Sequence, residues 1–209
     1  MKLNSPIVIL ANGDYPKNKV PLNILNNAKS IICLDGAIKN LLQNNLQPSI
    51  IIGDLDSIRP NYKKKYQDII IEIKDQSQND LRKSIFWLDE KSFKSVTILG
   101  ASGKREDHFI GNIFGILDMN YSIDIHMVTD FGTFQILKKG SYNIPSYIGQ
   151  NVSFFTSKKP AKISVKNLRY SFIKNYVSDS FSYTLNESIS SSFQVDVLTE
   201  KVLMFTTHK

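Results

Sequence analysis

Two aspartates one residue apart stand at the end of an apolar run, where Ile50-Ile51-Ile52 is followed by Gly53-Asp54-Leu55-Asp56-Ser57. Paired carboxylates on a tight turn suit a hard divalent cation such as Mg²⁺, which takes oxygen ligands and is held by one or two carboxylates together with substrate phosphates. The same turn is open to a local role, with each Asp side chain accepting bonds from nearby backbone. The next apolar run, ending at Ile73, leads into Lys74-Asp75-Gln76-Ser77-Gln78-Asn79-Asp80-Leu81-Arg82-Lys83. Here Asn79 or Asp80 fits a helix N-cap, and an Asp at that helix start shares a sheet edge with Asp54 and Asp56, Lys83 lying one turn further on. A third run, Val96 to Leu99, enters Gly100-Ala101-Ser102-Gly103-Lys104-Arg105-Glu106-Asp107-His108. Two glycines let backbone approach an anion, amides entering a helix favour phosphate, and Arg105 offers a planar donor for phosphate oxygens. The loop lacks Walker A spacing and the Ser/Thr after Lys, and no GxGxxG fingerprint occurs. Three charged loops on successive strand ends point to one shared ligand.

Other reactive side chains read as structural. His126 lies in the alternating run Ile123 to Val128 with no His or Cys partner at metal spacing. Cys33 sits inside an apolar strand as a small hydrophobe, and Phe86 and Trp87 fill a core or an interface. His108, beside Asp107 at a helix start, is open to either a structural or a substrate-contacting role. No serine nucleophile with a base partner is visible.

The elements that must position these loops follow from the hydrophobic rhythm. Strands are expected at Ile7 to Ala11, Ile31 to Leu34, Ser49 to Ile52, Ile69 to Ile73, Val96 to Leu99 and Ile123 to Val128. Leu81, Ile85 and Leu88 mark one helix face, and Ile110, Ile113, Phe114 and Leu117 another. Strands alternating with helices imply an α/β fold, Rossmann-like, with a mainly parallel sheet flanked by helices and ligands at the carboxyl ends of its strands. Beyond residue 133 the helical period stops. Short alternating runs replace it at Phe134 to Leu137, Val152 to Phe155, Ile163 to Val165, Phe193 to Val197 and Val202 to Phe205, punctuated by Gly140, Pro145, Gly149 and Pro160. The expectation is two domains, 1–133 α/β and 134–209 an antiparallel β-sandwich.

Composition agrees with such a protein. The 209 residues are 42% hydrophobic and 22% charged, which excludes disorder and collagen. The apolar runs fall short of the roughly 18 to 20 residues that a spanning helix needs. A single cysteine and an N-terminus without signal-peptide features lead us to expect a cytoplasmic protein. The net charge of +7 is uneven: residues 1–135 hold 16 basic and 15 acidic side chains, whereas residues 136–209 hold 10 and 4. The lysines of the second half are scattered as on a solvated surface, and no nucleic-acid or membrane partner is expected.

Taken together, Asp35-Gly36-Ala37, Gly53-Asp54-Leu55-Asp56-Ser57, Asp75-Gln76 with Asn79-Asp80 and Lys83, and Gly100 to His108 resemble the thiamine pyrophosphokinase family in order and spacing. The resemblance implies transfer of the pyrophosphoryl group of ATP to the hydroxyl of thiamine, giving thiamine diphosphate and AMP, with Mg²⁺, in a homodimer. It implies metal binding by Asp54, Asp56 and Asp80, with Arg105 and Asp107 also catalytic. Asp35, Ser57, Lys83, Ser102, Gly103, Lys104 and Arg105 fall on the ATP side, and Gln76, Asp107 and Asn186 on the thiamine side. It further makes 1–133 the catalytic, ATP- and metal-binding domain and 134–209 the thiamine-binding and dimerisation domain. Some positions depart from the family pattern: Asp75-Gln76-Ser77 and Asn79-Asp80 stand for Asp-Gln-Asp and Thr-Asp, Lys104 for a common Gly, and Leu185-Asn186-Glu187 for Ser-Asn-Glu. The departure at Leu185 leaves two alternatives in view. One is a pyrophosphokinase for another heterocyclic alcohol such as a hydroxymethylpterin; the other is a nucleic-acid-binding or regulatory protein with a decayed nucleotide site.

Overall fold

The computed structural model describes residues 2–156, 159–179 and 182–209, which divide into two compact units. The first comprises Met1–Ile116 with Asn120–Asp130, and the second Leu117–Met119 with Phe131–Lys209. The first unit alternates strands and helices: β1 (Ile7–Leu10), α1 (Lys19–Asn26), β2 (Ser30–Leu34), α2 (Ile38–Gln43), β3 (Ile50–Gly53), α3 (Pro60–Lys65), β4 (Ile70–Glu72), α4 (Asp80–Glu90), β5 (Ser95–Leu99), α5 (Glu106–Asp118) and β6 (Asp124–Val128). All six strands are parallel, in the order β6-β5-β1-β2-β3-β4. The chain therefore winds outward from β1 to β4 and returns on the other side of β1 with β5, so β1 and β5 flank the switch point where α/β sheets open a crevice.

Isoleucine and valine make these strands continuous apolar runs because both faces are buried. Val8, Leu10, Ile31, Cys33 and Ile51 join Leu25 of α1 and Ile38 and Leu41 of α2 in one core. Ile9, Ile32, Ile50 and Ile52 alternate with them and are fully buried as well, and α4, with Leu81, Ile85 and Leu88 buried, packs against β2 and β3. Each fully buried isoleucine contributes roughly 1.5–3 kcal/mol by transfer from water.

The helix α5 corrects one expectation. Of the face Ile110, Ile113, Phe114 and Leu117, only Leu117 is buried; Ile110 is 54% and Phe114 42% exposed. The inward set is Asn112, Gly115, Ile116 and Leu117. Asn112 turns inward because its amide is bonded on both sides, to Ala101 O and to Asn79, and the helix rotates accordingly.

In the second unit the described strands are β7 (Gly132–Leu137), β8 (Gly140–Pro145), β9 (Asn151–Phe155), β10 (Ala161–Lys166), β11 (Phe172–Val177), β12 (Asn186–Glu187), β13 (Ser192–Val197) and β14 (Val202–Thr207). They form two antiparallel arrays, β12-β9-β14-β7 and β11-β10-β13-β8. Leu137, Phe154 and Met204 from the first share a core with Ile163, Val195 and Phe193 from the second, which is the packing of a sandwich. Gly140 and Pro145 bound β8 rather than interrupt the chain, and β8, β11 and β12 are strands that the sequence rhythm does not show. The strand β11 carries only exposed or half-exposed residues before Val177 and is bulged against β10, so it offers no apolar alternation to detect.

Candidate active site

The carboxyl ends of β1, β2, β3 and β5 surround a cavity of about 340 Å³, lined by residues including Asn12, Gly13, Asp35, Ser57, Asn79, Asp80, Gly103, Lys104, Arg105 and Asn112. Its floor follows from two chain reversals at the switch point. Gly13 N–H donates to Gly100 O at 2.6 Å and Asp14 N–H to Ser102 O at 2.8 Å. A side chain at Gly13 would put its Cβ 2.2 Å from Ser102 O, and Gly103 combines a φ of +77° with the Asp14 carboxylate 2.3 Å from where a Cβ would stand. Only glycine allows these loops to lie against each other. The Lys104 ammonium reaches back to Asn12, bonding its backbone O at 2.8 Å and its Oδ1 at 2.9 Å.

Beside this floor lies an acidic cluster. One carboxylate oxygen from each of Asp35, Asp54 and Asp56 lies within 4.8 Å of the others. Asp35 opens the turn after β2 and is 4% exposed; its Oδ2 has no hydrogen-bond partner. Burial, with the Asp80 and Asp56 carboxylates adding to it, pushes Asp35 up to about 6 despite amide bonds from Gly36 and Ser57. Asp54 and Asp56 flank Leu55, whose φ of 66° is left-handed. That conformation costs a non-glycine residue roughly 1–2 kcal/mol, and it is held because the Leu55 side chain is buried in the core of α1 and α2. Asp54 accepts Gln76 Nε2 at 3.0 Å, and this bond, with help from the Asp56 amide and Lys83, keeps its carboxyl below the usual range. Ser57 Oγ donates to Asp56 Oδ1 at 2.8 Å. An all-oxygen set with a buried, unpartnered anion at its centre fits a hard cation.

Asp80 borders the cavity next to that trio, close enough for its charge to act on the Asp35, Asp54 and Asp56 carboxylates, and is bound to the buried Lys83 ammonium at 3.0 Å. Burial raises its pKa, and the contact with Lys83 only partly opposes that. Asn79 is the N-cap of α4, its Oδ1 accepting Arg82 N–H at 3.0 Å, while its Nδ2 donates to Asn112 Oδ1 at 2.9 Å. Arg105 and Asp107 are exposed and grip each other, Nη2 to Oδ2 at 2.5 Å and Nε to Oδ1 at 3.0 Å, which holds the Asp107 carboxyl low. His108 lines the cavity; Ser102 contributes its carbonyl to the floor.

Thus Asp35, Ser57, Asp80, Gly103, Lys104 and Arg105 come together around one cavity, with Asp54 and Asp56 at its side. Gln76 joins them through Asp54. Asn186, in the other unit, is 7% exposed, and its amide is fully engaged with backbone: Oδ1 accepts Tyr170 and Glu187 N–H, and Nδ2 donates to Tyr170 O at 2.9 Å. Leu185 beside it is 84% exposed at a φ of 60°. Cys33 is fully buried, which pushes its thiol up, and His126, half-buried in β6, is held low by burial; neither borders the cavity. Sequence reasoning missed Asn12, Gly13 and Asn112. The first two were findable, since they follow β1 as the other polar loops follow their strands.

The catalytic-domain model of the thiamin pyrophosphokinase family matches residues 22–148. The chain belongs to that family. Thiamine pyrophosphokinase 1 of Oryza sativa subsp. japonica is 35% identical over 103 residues, 44% of this chain and 39% of that protein. The Bacillus subtilis (strain 168) enzyme is 28% identical over 145 residues, 66% of this chain and 67% of its own. The chain thus spans about two fifths of the length of the rice relative it matches. Its fold is that of the solved thiamine pyrophosphokinase from Bacillus subtilis, with a TM-score of 0.81 at 22% identity over 97% of this chain and 99% of the other. The yeast thiamin pyrophosphokinase structure gives 0.76 at 15%, covering 96% and 85%. Across this thiamin pyrophosphokinase fold, the polar loops at the strand ends described above form the candidate site.

Proposed function

We propose that the chain transfers the pyrophosphoryl group of ATP to the hydroxyl of thiamine, yielding thiamine diphosphate and AMP. The observation that carries this is the Asp35–Asp54–Asp56 cluster beside a cavity floored by glycine loops, in a chain of this family. Asp54, Asp56 and Asp80, with Asp35 beside them, would hold Mg²⁺. Bound there, the cation would neutralise phosphate charge and align the triphosphate. The chain's own groups do the rest. Amides of the Gly100–Lys104 loop, with Arg105, receive phosphate oxygens, and the Lys83 ammonium sets the position of Asp80. A carboxylate of this set accepts the proton of the attacking alcohol. Gln76 and Asp107 act on the thiamine side, and Asn186 supports it by fixing the backbone of Tyr170 and Glu187.

The reading includes a homodimer in which residues 134–209 complete the thiamine side, and the exposed Ile110 and Phe114 on α5 are surface of the kind that subunit contacts cover. Selection of the β-phosphorus over the γ-phosphorus cannot come from phosphate affinity, since both reactions use the same ATP; it comes from where the alcohol is held. Chromatography of protein, ATP, Mg²⁺ and thiamine tests the proposal. Thiamine diphosphate and AMP in equal amounts are expected; thiamine monophosphate with ADP, or turnover only with a pterin alcohol, overturns it.

A further inference from the structure

Among the loops that floor the phosphate cavity, one residue sits against its own backbone preference. Lys104 has a φ of 60°, a left-handed conformation that disfavours any side chain with a Cβ, and it stands where the family commonly has Gly. Its ammonium is held in place rather than loose in solvent. Nζ donates to Asn12 O at 2.8 Å and to Asn12 Oδ1 at 2.9 Å. Asn12 is fixed in turn by the chain after β2, its amide lying so near Gly36 that a Cβ there would stand 2.2 Å from Nδ2. An ammonium has three donors; Asn12 takes two and leaves one N–H. Both residues line the cavity.

Charge separates Lys104 from the other cations of the site. Arg105 lines the same cavity but is clamped by Asp107 through two bonds, and the buried Lys83 is matched by Asp80 at 3.0 Å. Among the described residues, Lys104 meets only the neutral oxygens of Asn12. Its charge is therefore uncompensated within the protein. A metal-bound triphosphate is still an anion, and an ammonium not already paired with a carboxylate has its full charge to offer it.

We propose that Asn12 and Lys104 act together as a phosphate latch: Asn12 holds the ammonium at the cavity, and Lys104 gives its remaining N–H and its charge to the triphosphate. Lys104 thus binds the nucleotide, and Asn12 is a positioning residue that acts through it. The assignment rests on the ATP reading above. It gives this chain a phosphate ligand that a glycine at position 104 could not supply, and it ties nucleotide affinity to the meeting of the loops after β1 and β5.

Calorimetric titration of MgATP into the full-length protein, without thiamine, reads the latch directly. Lys104→Gly should raise the Kd for MgATP about tenfold or more, the scale of one charge-assisted hydrogen bond, without lowering the thermal midpoint, because glycine fits the backbone at 104 better. Lys104→Gln keeps a donor for Asn12 but no charge, and should weaken MgATP as glycine does. Lys104→Arg should return the Kd to within about threefold of the parent. Asn12→Ala should raise it about threefold in the parent and not at all beside Lys104→Gly, since the two residues act as one unit. Added salt should weaken MgATP binding more steeply in the parent than in Lys104→Gly. In the steady state, the KM for thiamine should stay put throughout. If Lys104→Gly does not fold, Lys104→Gln carries the test. A Lys104→Gln variant that binds MgATP like the parent makes the lysine a mere loop brace and overturns the latch, as does an unaltered Kd in folded Lys104→Gly. A parent that binds MgATP through Lys104 yet leaves thiamine unconverted overturns the proposed reaction and keeps the latch; a parent that binds no MgATP overturns both.

Discussion

Polar side chains are used in opposite ways at the carboxyl ends of the parallel strands and at the Leu185–Glu187 corner of the sandwich. Around the strand ends, carboxylates are gathered against their own repulsion: Asp35, Asp54 and Asp56 crowd within 4.8 Å, and Asp35 is buried with an oxygen unpartnered. At the sandwich corner, Asn186 is equally buried, yet every polar atom of its amide is bonded to backbone. Burial alone therefore does not mark function. Uncompensated capacity does, because a fold has no reason to retain an unsatisfied anion unless something else binds it.

The largest effect expected from this contrast is on turnover. Asp56→Asn should leave the fold intact and lower kcat by at least ~10², the scale of removing a main electrostatic group; circular dichroism beside a steady-state assay checks both halves, and near-parental activity would break the comparison. Asn186→Ala should show the reverse pattern. Leaving the Tyr170 and Glu187 amides without their acceptor costs about 1–3 kcal/mol, so the thermal midpoint should fall by several degrees while KM for MgATP stays put.

A smaller and pH-dependent effect is expected at Asp35. Its carboxyl in the folded chain, at about 6, lies above its ordinary value of 3.8. The folded state thus binds more protons than the unfolded state between those values, and this group's contribution to stability is lost as pH rises from 4 through 6. Asp35→Asn removes that loss. Without Mg²⁺ the variant should be more stable than the parent at pH 7.5, by on the order of 1–2 kcal/mol, with no advantage at pH 4; added Mg²⁺ should raise the midpoint of the parent only. Equal midpoints at pH 7.5, with or without the cation, would remove Asp35 from the cluster. The smallest change belongs to Glu187→Gln. It breaks a half-exposed pair with Arg169 at 3.0 Å, and denaturant unfolding should register less than about 1 kcal/mol.

Much of the α/β unit was legible because its strands are buried on both faces, so each appears as an unbroken Ile/Val run whose end is a polar loop. The helices α1, α2 and α3 were less so: two of them have six residues, and their stability comes from packing onto the sheet. In the sandwich, β7, β9, β10, β13 and β14 alternate visibly, whereas β11 is an exposed edge and β12 spans two residues, too short to carry a period.

The sequence by itself determined the residue types at each strand end, and with them the family and the chemistry of the site: carboxylates after β3, a glycine loop after β5, a capped helix after β4. Tertiary structure decided which of those residues meet. Strand order is invisible to periodicity, so only the fold could show that β1 lies between β2 and β5, bringing Asn12 and Gly13 against Gly100. Only the fold, likewise, shows that Asp35, from the end of another strand, comes within 4.8 Å of Asp54 and Asp56. The physical reason is that local pattern fixes which face of an element is apolar, whereas the pairing of elements depends on long-range packing that couples residues far apart in the chain.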